Sequence, residues 1–332
     1  MWRESAGSIL VNARDSVVRA ARFGEPFAVF PRPPFTPSLL RRSLRLHQWA
    51  KNALIFVPLV LGGKATDASA WLNALLGFIA IGFTASATYI VNDLWDLPND
   101  RRHRSKRWRP LASGDLSIRA GAIFAFIGLL IGFGLAAYLA PATLAMLGLF
   151  VAGTLSYSFV WKRVPILDVF VLASLFTLRL GFGIVVTDVR LSPWLLVFSM
   201  FVFLSLSMAK RHTEVLRLDA LGGENMPGRG YVAGDAPLTL GMGLASMLGA
   251  VLIIIIYLIE DAFPRGFYSN SVCLWAIPPI LFLFLGRIWL VSQRGQLHDD
   301  PVAFALKDRI SLLLGLLMSL AFTAALVGVG WR

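Results

Sequence analysis

Long apolar runs alternate with short polar ones along this chain, and the apolar runs are longer than a soluble core helix needs. A helix requires roughly 20 apolar residues to cross about 30 Å of hydrocarbon. Windows of that kind fall near 49–63, 71–91, 118–138, 142–160, 167–187, 193–209, 238–259, 272–291 and 310–329. The pattern predicts an all-α, polytopic membrane protein with about nine transmembrane helices. The first window is short and opens on the polar residues Lys51 and Asn52. Small residues inside spans, such as Gly128 and Gly132, would let helices pack closely. Residues 1–40 read as a separate basic tail. Over Ser8–Arg22, Ile9, Leu10, Ala13, Val17 and Ala20 share one helical face, with Arg14, Arg19 and Arg22 elsewhere. That suits either an amphipathic helix on the membrane surface or a partly disordered tail. Pro31, Pro33, Pro34 and Pro37 mark a linker into the body, residues 41–332.

Composition supports the lipid assignment. Only 15% of the residues are charged and the mean hydropathy is +0.69, against about 25% charged in soluble domains. No secretory signal peptide is visible, because residues 1–40 carry charges every few positions. The single cysteine, Cys273, has no partner for an intramolecular disulfide and reads as a small residue in an apolar stretch. The net charge of +12 is unevenly placed. Lys and Arg collect before the first window and after the second, fourth, sixth and eighth. The opposite side holds Lys64, Arg190, Arg265 and Arg332. The positive-inside rule then puts the amino terminus and the even-numbered loops in the cytoplasm and the carboxyl terminus across the inner (plasma) membrane. Topology alone accounts for basic loops, so they call for no nucleic acid partner.

Topology does not account for acid. The second span ends in Tyr89-Ile-Val-Asn92-Asp93-Leu-Trp-Asp96-Leu-Pro-Asn-Asp100-Arg101. A helix would gather most of Asn92, Asp93, Asp96 and Asp100 on one face, where carboxylates one turn apart repel. A hard divalent cation relieves this, and Mg²⁺ commonly binds through one or two carboxylates plus substrate phosphates. Alternatively, the aspartates pair with the arginines that follow. Arg101, Arg102, Lys106, Arg107 and Arg109 exceed what three aspartates require, and surplus cations beside a metal suit a diphosphate. Pro98 should end the helix near Asp96 and leave Asp100 on a loop.

Further polar groups fall on the same expected membrane face. Tyr157 and Lys162 close the fourth span and Asp168 opens the fifth. Lys210-Arg211-His212-Thr213-Glu214 follows the sixth, with Lys210 and Glu214 spaced for an intrahelical pair. The glycine-rich loop Gly222–Tyr231 suits a phosphate cradle or a solvated turn. Arg179, inside a span, must face the bundle interior or a wet cavity, as a functional group or as a partner of Asp168 or Asp188. His47, His103, His212 and His298 show no metal-ligand spacing.

Asn92, Asp93, Asp96 and Asp100 match an N-D-x-x-D-x-x-x-D motif, and with the span count the chain resembles the UbiA superfamily of membrane prenyltransferases over roughly residues 39 to 329. The resemblance implies a UbiA-like bundle as catalytic domain. Most members carry a second aspartate-rich motif after the sixth helix, where this chain has Lys210–Glu214 instead. It looks more like the decaprenyl-phosphate phosphoribosyltransferase branch. The likeness rests on Gln48-Trp49-Ala-Lys51-Asn52, on Asp100-Arg101-x-His103-x-x-Lys106-x-x-Arg109-Pro110 and on Tyr157-Ser158-x-x-x-Lys162. It continues through Leu178-Arg179, Lys210-Arg211-x-x-Glu214 and Arg229-x-Tyr231. Pro98 within the motif and Arg104, where the branch often has proline, depart from it.

The branch implies Mg²⁺-dependent transfer of 5-phosphoribose from phosphoribosyl diphosphate to a polyprenyl phosphate, a step of cell envelope biosynthesis. Asn92, Asp93, Asp96 and Asp100 would hold Mg²⁺. Lys51, Asn52, Arg101, Lys106, Arg109, Tyr157, Lys162, Arg179, Lys210, Arg211, Glu214, Arg229 and Tyr231 would contact substrates, and Lys162 would also act in the reaction. The alternative within the superfamily moves a polyprenyl group from its diphosphate to an aromatic or quinone-precursor acceptor. A transporter is a rival from another class, but transporters place charge near the midplane, and here Arg179 is the main charge there. The lipid bilayer is a partner under every reading, and association into a homo-oligomer stays open.

Overall fold

The computed structural model describes residues 9–11, 13, 28–30, 34, 36–103, 105–226, 228–266, 268–297 and 300–328. In chain order its helices are α1 (Pro37–Ser43), α2 (Phe56–Leu61), α3 (Ala68–Trp95), α4 (Leu97–Arg102), α5 (Pro110–Ser113) and α6 (Ile118–Leu139). There follow α7 (Pro141–Phe159), α8 (Leu167–Thr187), α9 (Pro193–Ala220), α10 (Ala236–Tyr257), α11 (Ile277–Gln293), α12 (Pro301–Ala305) and α13 (Arg309–Val327). Among the described residues, eight helical segments are long and apolar enough to cross a bilayer. The expected first span is the exception. Leu46–Ile55 is a 3₁₀ helix of ten residues that runs into the six-residue α2. A 3₁₀ helix rises about 2.0 Å per residue, so Leu46–Leu61 end to end reaches about 29 Å, close to the hydrocarbon thickness. Polar positions Gln48, Lys51 and Asn52 break its apolar period, which is why no span of ordinary length forms there.

The chain divides into two compact units. The first is residues 1–47 and 85–130. Its core is Ala87, Ile90, Leu97, Leu111, Leu116 and Ala125. Thr36 caps α1 by accepting from the Leu39 N–H at 3.2 Å, and Pro37 sits where a missing N–H costs nothing. Ile9–Val11 (β1) and Ala28–Phe30 (β2) pair as short parallel strands. Ile9–Val11 is therefore extended rather than the start of an amphipathic helix. Arg14, Arg19 and Arg22 of that expected helix lie outside the described residues, as do Arg104 and His298.

The second unit is residues 48–84 and 131–332. Val169, Leu206, Met208, Ile254, Leu285 and Trp289 are central in its core. A side chain at Gly183 on α8 would collide with the Ile55 backbone, so this glycine lets the 3₁₀ segment lie directly against the helix.

Helices α3 and α9 each run 28 residues, about 42 Å at 1.5 Å per residue, which exceeds the hydrocarbon. Their surplus turns carry the polar and charged groups: Asn92 and Asp93 lie in the last turn of α3, and Lys210, Arg211 and Glu214 lie in the last turns of α9.

Candidate functional site

In the first unit the aspartate motif bends. Helix α3 stops at Trp95, Asp96 forms the turn, and α4 starts at once with Pro98 in its first turn. The N–H groups of Asn99 and Asp100 both donate to the Asp96 carbonyl at 2.9 Å. The break is thus where Pro98 requires it, but Asp100 stands on a helix and not on a loop. In one straight helix Asp93 and Asp100 would stand about 10 Å apart along the axis. After the bend, a single nitrogen of Arg109, Nη1, donates to Asp93 at 2.9 Å and to Asp100 at 2.6 Å. Both carboxylates are buried. Nη2 of Arg45 donates to both oxygens of Asp93 at 2.6 and 2.5 Å, and its guanidinium lies 5.1 Å from the centre of the Tyr89 ring. Arg45 has a left-handed backbone, φ 51°, which is unusual outside glycine. Ion pairing, the alternative to metal in the sequence, is therefore realised. It uses Arg45, which gave no signal beyond its place in a basic loop, and Arg109. Asn92 and Asp96 are half-buried, while Arg101 and Lys106 are exposed and make no ion pair with the aspartates.

The geometry accommodates a divalent cation. Two carboxylates already converge on one positively charged nitrogen, and both offer hard oxygen donors. No group of three or more His, Cys, Asp or Glu side chains is arranged to hold a metal among the described residues. Mg²⁺ on a diphosphate needs only one or two from the protein.

In the second unit the centre is Asp168, in the first turn of α8 and fully buried. Its carboxylate accepts from Arg211 Nη2 at 2.8 Å, Arg229 Nη1 at 3.2 Å, the Tyr231 hydroxyl at 2.8 Å and the Val169 N–H at 2.8 Å. Arg229 also donates to the Tyr157 hydroxyl at 3.1 Å. The glycine-rich loop is no open cradle. Asn225 and Val232 bridge as a small hairpin that delivers Arg229 and Tyr231 to Asp168. Gly230 permits this, since a Cβ there would strike the Arg163 carbonyl and Pro165. Burial, then the neighbouring Asp168 charge, pushes the Tyr231 phenol well above its usual range. Burial opposes the charge on Arg229, but Tyr157, Glu214 and Asp168 outweigh it and raise its pKa. Just before Asp168, Ile166 has φ 68°, a strained conformation for a β-branched residue, and its N–H donates to the Tyr231 hydroxyl at 2.8 Å.

Two expected partnerships are different, and a third pair was not expected. Glu214 pairs with Arg211, one residue from the expected Lys210. Arg179 does not reach Asp168, eleven residues away and about 16 Å along the same helix. It donates instead to the Asn52 side-chain oxygen at 3.0 Å and the Leu175 carbonyl at 2.8 Å, with its charge near the Phe150 and Phe176 rings. The Asn52 Nδ2 amide is buried without a hydrogen-bond partner among the described residues. Lys51 is held by Asp300 at 2.8 Å, a carboxylate 249 positions away that no local pattern announces. Burial raises the Asp300 carboxyl pKa, and the charge of Lys51 more than reverses this, leaving it below the usual value. Lys162 is half-buried on the turn Trp161–Arg163. His212 bridges Thr239 and Gln293 at 3.0 and 2.8 Å, a packing role. An apolar cavity of about 320 Å³ opens among Leu54, Val57, Leu180, Phe203, Ile254 and Tyr257. Leu54 and Leu180 lie close in sequence to Asn52 and Arg179.

Comparison with known proteins places this architecture. The chain is 41% identical over 329 residues to the uncharacterized protein y4nM of Sinorhizobium fredii, covering 98% of this chain and 64% of that one. It is 31% identical over 287 residues to the nodulation protein NoeC of Azorhizobium caulinodans, covering 84% and 91% of the two chains. It is 28% identical over 280 residues to the decaprenyl-phosphate phosphoribosyltransferase of Mycobacterium tuberculosis, covering 83% and 90%. In fold it resembles a UbiA homolog from Archaeoglobus fulgidus solved with GPP and Mg²⁺, with a TM-score of 0.65 and 15% identity over 87% of this chain and 98% of that one. The model of the UbiA prenyltransferase family matches residues 53–313. This integral membrane protein, with its bent aspartate motif, belongs to the UbiA prenyltransferase family.

Proposed function

We propose that the protein transfers 5-phosphoribose from phosphoribosyl diphosphate to a polyprenyl phosphate, with Mg²⁺, at the cytoplasmic face of the inner membrane. The observation that carries this reading is the cationic end of α9 and its surroundings. Lys51, Lys210, Arg211 and Arg229 outnumber Asp168, Glu214 and Asp300, and Arg211 is fixed from both sides by Asp168 and Glu214. Phosphoribosyl diphosphate carries three phosphate groups and its acceptor a fourth. A surplus of fixed cations suits that load, and guanidinium matches phosphate geometry. The phosphoribosyltransferase relatives support the same choice.

Asp93, Asp96 and Asp100, with Asn92 assisting, would hold Mg²⁺. The metal would supply charge neutralisation on the leaving diphosphate. Binding there requires Arg109, and at Asp93 Arg45 as well, to yield carboxylate oxygens, which their partly exposed side chains permit. Lys51, Lys162, Lys210, Arg211 and Arg229 would bind and orient phosphates. As the ribose C1–O bond to diphosphate breaks, the diphosphate leaves with the electron pair, and a phosphate oxygen of the lipid bonds to C1. That oxygen is already ionised, so no general base is needed and no residue must shuttle a proton. Fixed cations around the departing oxygens would favour the charge that grows there. The apolar cavity offers room for part of an isoprenoid tail.

Purified protein in lipid, given labelled phosphoribosyl diphosphate and polyprenyl phosphate, should move sugar label into the lipid fraction in the presence of Mg²⁺. A parallel reaction with prenyl diphosphate and 4-hydroxybenzoate tests aromatic prenylation. Label that stays aqueous while the prenyl donor is consumed would sink the reading. Release of no diphosphate from either donor would favour a transporter.

A further inference from the structure

Between the cations of the second unit and its apolar cavity sits a buried donor that lacks an acceptor. Asn52 is 1% exposed. Its amide orientation is fixed, because the Arg179 Nε–H can only donate and does so to the side-chain oxygen at 3.0 Å. The Nδ2 amide therefore points elsewhere, buried and without a hydrogen-bond partner among the described residues. A donor in that state has lost its hydration for nothing, and it calls for an acceptor that binding brings. Arg179 stands beside it inside the membrane-crossing α8, where an ionisable side chain marks a ligand path by default.

The Phe176 ring joins this pair to the cavity. The Lys51 ammonium lies 5.6 Å from its centre and the Arg179 guanidinium 5.2 Å. The same ring stacks at 4.4 Å on Phe203, whose side chain lines the apolar cavity of about 320 Å³. Across one ring the surroundings change from hydrogen-bond donors to hydrocarbon. A soluble sugar diphosphate gains nothing from the hydrocarbon half, and a neutral hydrocarbon gains nothing from the donors. An amphiphile with an anionic head suits both. Guanidinium, ammonium and the amide nitrogen all donate and none accepts, which is the complement of a phosphate. Depth points the same way, since Arg179 lies about 16 Å along α8 from Asp168 and its cations.

We propose that Asn52 and Arg179 hold the phosphate of the lipid acceptor, with Nδ2 donating to one of its oxygens and the first isoprene units crossing Phe176 and Phe203 into the cavity. This rests on the phosphoribosyl transfer described above. It gives the acceptor to the deeper pair and leaves the sugar donor to the cations around Asp168.

The full chain in nanodiscs tests this by titration with farnesyl phosphate and with farnesol, which lacks the phosphate. Wild type should bind the phosphate about tenfold more tightly or better. In Asn52→Asp, Arg179 keeps an oxygen to bond, but a negative oxygen replaces the donor. The preference should vanish there while farnesol still binds, which reports an intact cavity. Asn52→Ala adds no charge and should lose part of the preference, and it carries the comparison if the aspartate variant does not fold. In turnover, the KM of Asn52→Asp for polyprenyl phosphate should rise about tenfold, with the KM for phosphoribosyl diphosphate within about twofold of wild type. A preference that survives in both variants would overturn the proposal. So would an equal rise in the KM for phosphoribosyl diphosphate, which would give the amide to the donor. If the preference depends on Asn52 but no sugar label reaches lipid, the transfer reading fails and the lipid-phosphate site stands. If label reaches lipid and neither variant alters the KM for lipid, the site fails and the transfer reading stands.

Discussion

Asp93 in the first unit and Asp168 in the second each accept from two arginines, yet their surroundings differ. The side chains of Arg45 and Arg109 are 20% and 27% exposed and Asp93 is 9% exposed, whereas Asp168 is fully buried with one partner, Arg211, 1% exposed and the other, Arg229, 26% exposed. Asp168 also takes the Tyr231 hydroxyl and a backbone N–H. An arginine that keeps contact with water leaves its pair at less cost, because water compensates the guanidinium. A dry pair has no such compensation, since removing one member strands the other. The first arrangement thus suits a carboxylate that exchanges an arginine for another cation, and the second suits permanent scaffolding for Arg211. Both lie beside a strained backbone: Arg45 itself in the first unit, and Ile166, two residues before Asp168, in the second. Such conformations cost about 1–3 kcal/mol each and persist only where neighbours enforce them.

The sharpest way to break this contrast is to neutralise each carboxylate in turn. Asp168→Asn should destabilise the protein by about 3–5 kcal/mol, because Arg211 is left charged and buried, and thermal melts in detergent would show it. Asp93→Asn should cost less in the same melts, because Arg45 and Arg109 keep contact with water and Arg109 keeps Asp100. Its effect should fall on turnover, by about 10²–10³-fold, with the Mg²⁺ response lost. If the two variants melt alike, the division into scaffold and exchangeable site fails.

Tyr231→Phe probes the scaffold more gently. It removes a donor to Asp168 and the acceptor of the Ile166 N–H, and should cost about 1–2 kcal/mol. A matched Tyr157→Phe removes only the partner of an already paired Arg229 and should cost less. Equal losses would mean that Asp168 does not depend on the Tyr231 hydroxyl.

The sequence revealed the bundle because apolar windows of membrane length are set by lipid thickness, a constraint local in the chain. It revealed Asn92, Asp93, Asp96 and Asp100 because acid at the end of an apolar helix is conspicuous. The break at Asp96 was legible from Pro98, but the restart as α4 was not, since the short helix is stabilised by Leu97 joining the core of the first unit. Arg45 was hidden because its geometry depends on a left-handed backbone. Asp300 was hidden by its distance from Lys51 along the chain. The pairing of Arg211, and not Lys210, with Glu214 could not be chosen from spacing, since three and four residues both lie on one helical face. Asp168, lying 43 positions before Arg211, decides it.

The smallest effect calibrates the scale. Asp308 caps α13 through Ser311 and pairs with Arg287 at 3.0 Å. Hydrogen bonding from Arg287 is the largest influence on its carboxyl and lowers its pKa from 3.8 to about 2. Because the folded value is depressed, the contribution is complete above pH 3.8 and disappears as pH falls through about 2. Asp308→Asn keeps a good cap and removes only the ion pair, so it should cost less than about 1 kcal/mol near neutrality. Melts of both proteins across pH should converge at the acid end. A gap that survives where the wild-type carboxyl is protonated would trace to packing instead, and the same doubt would then extend to reading the larger loss at Asp168 as a stranded charge.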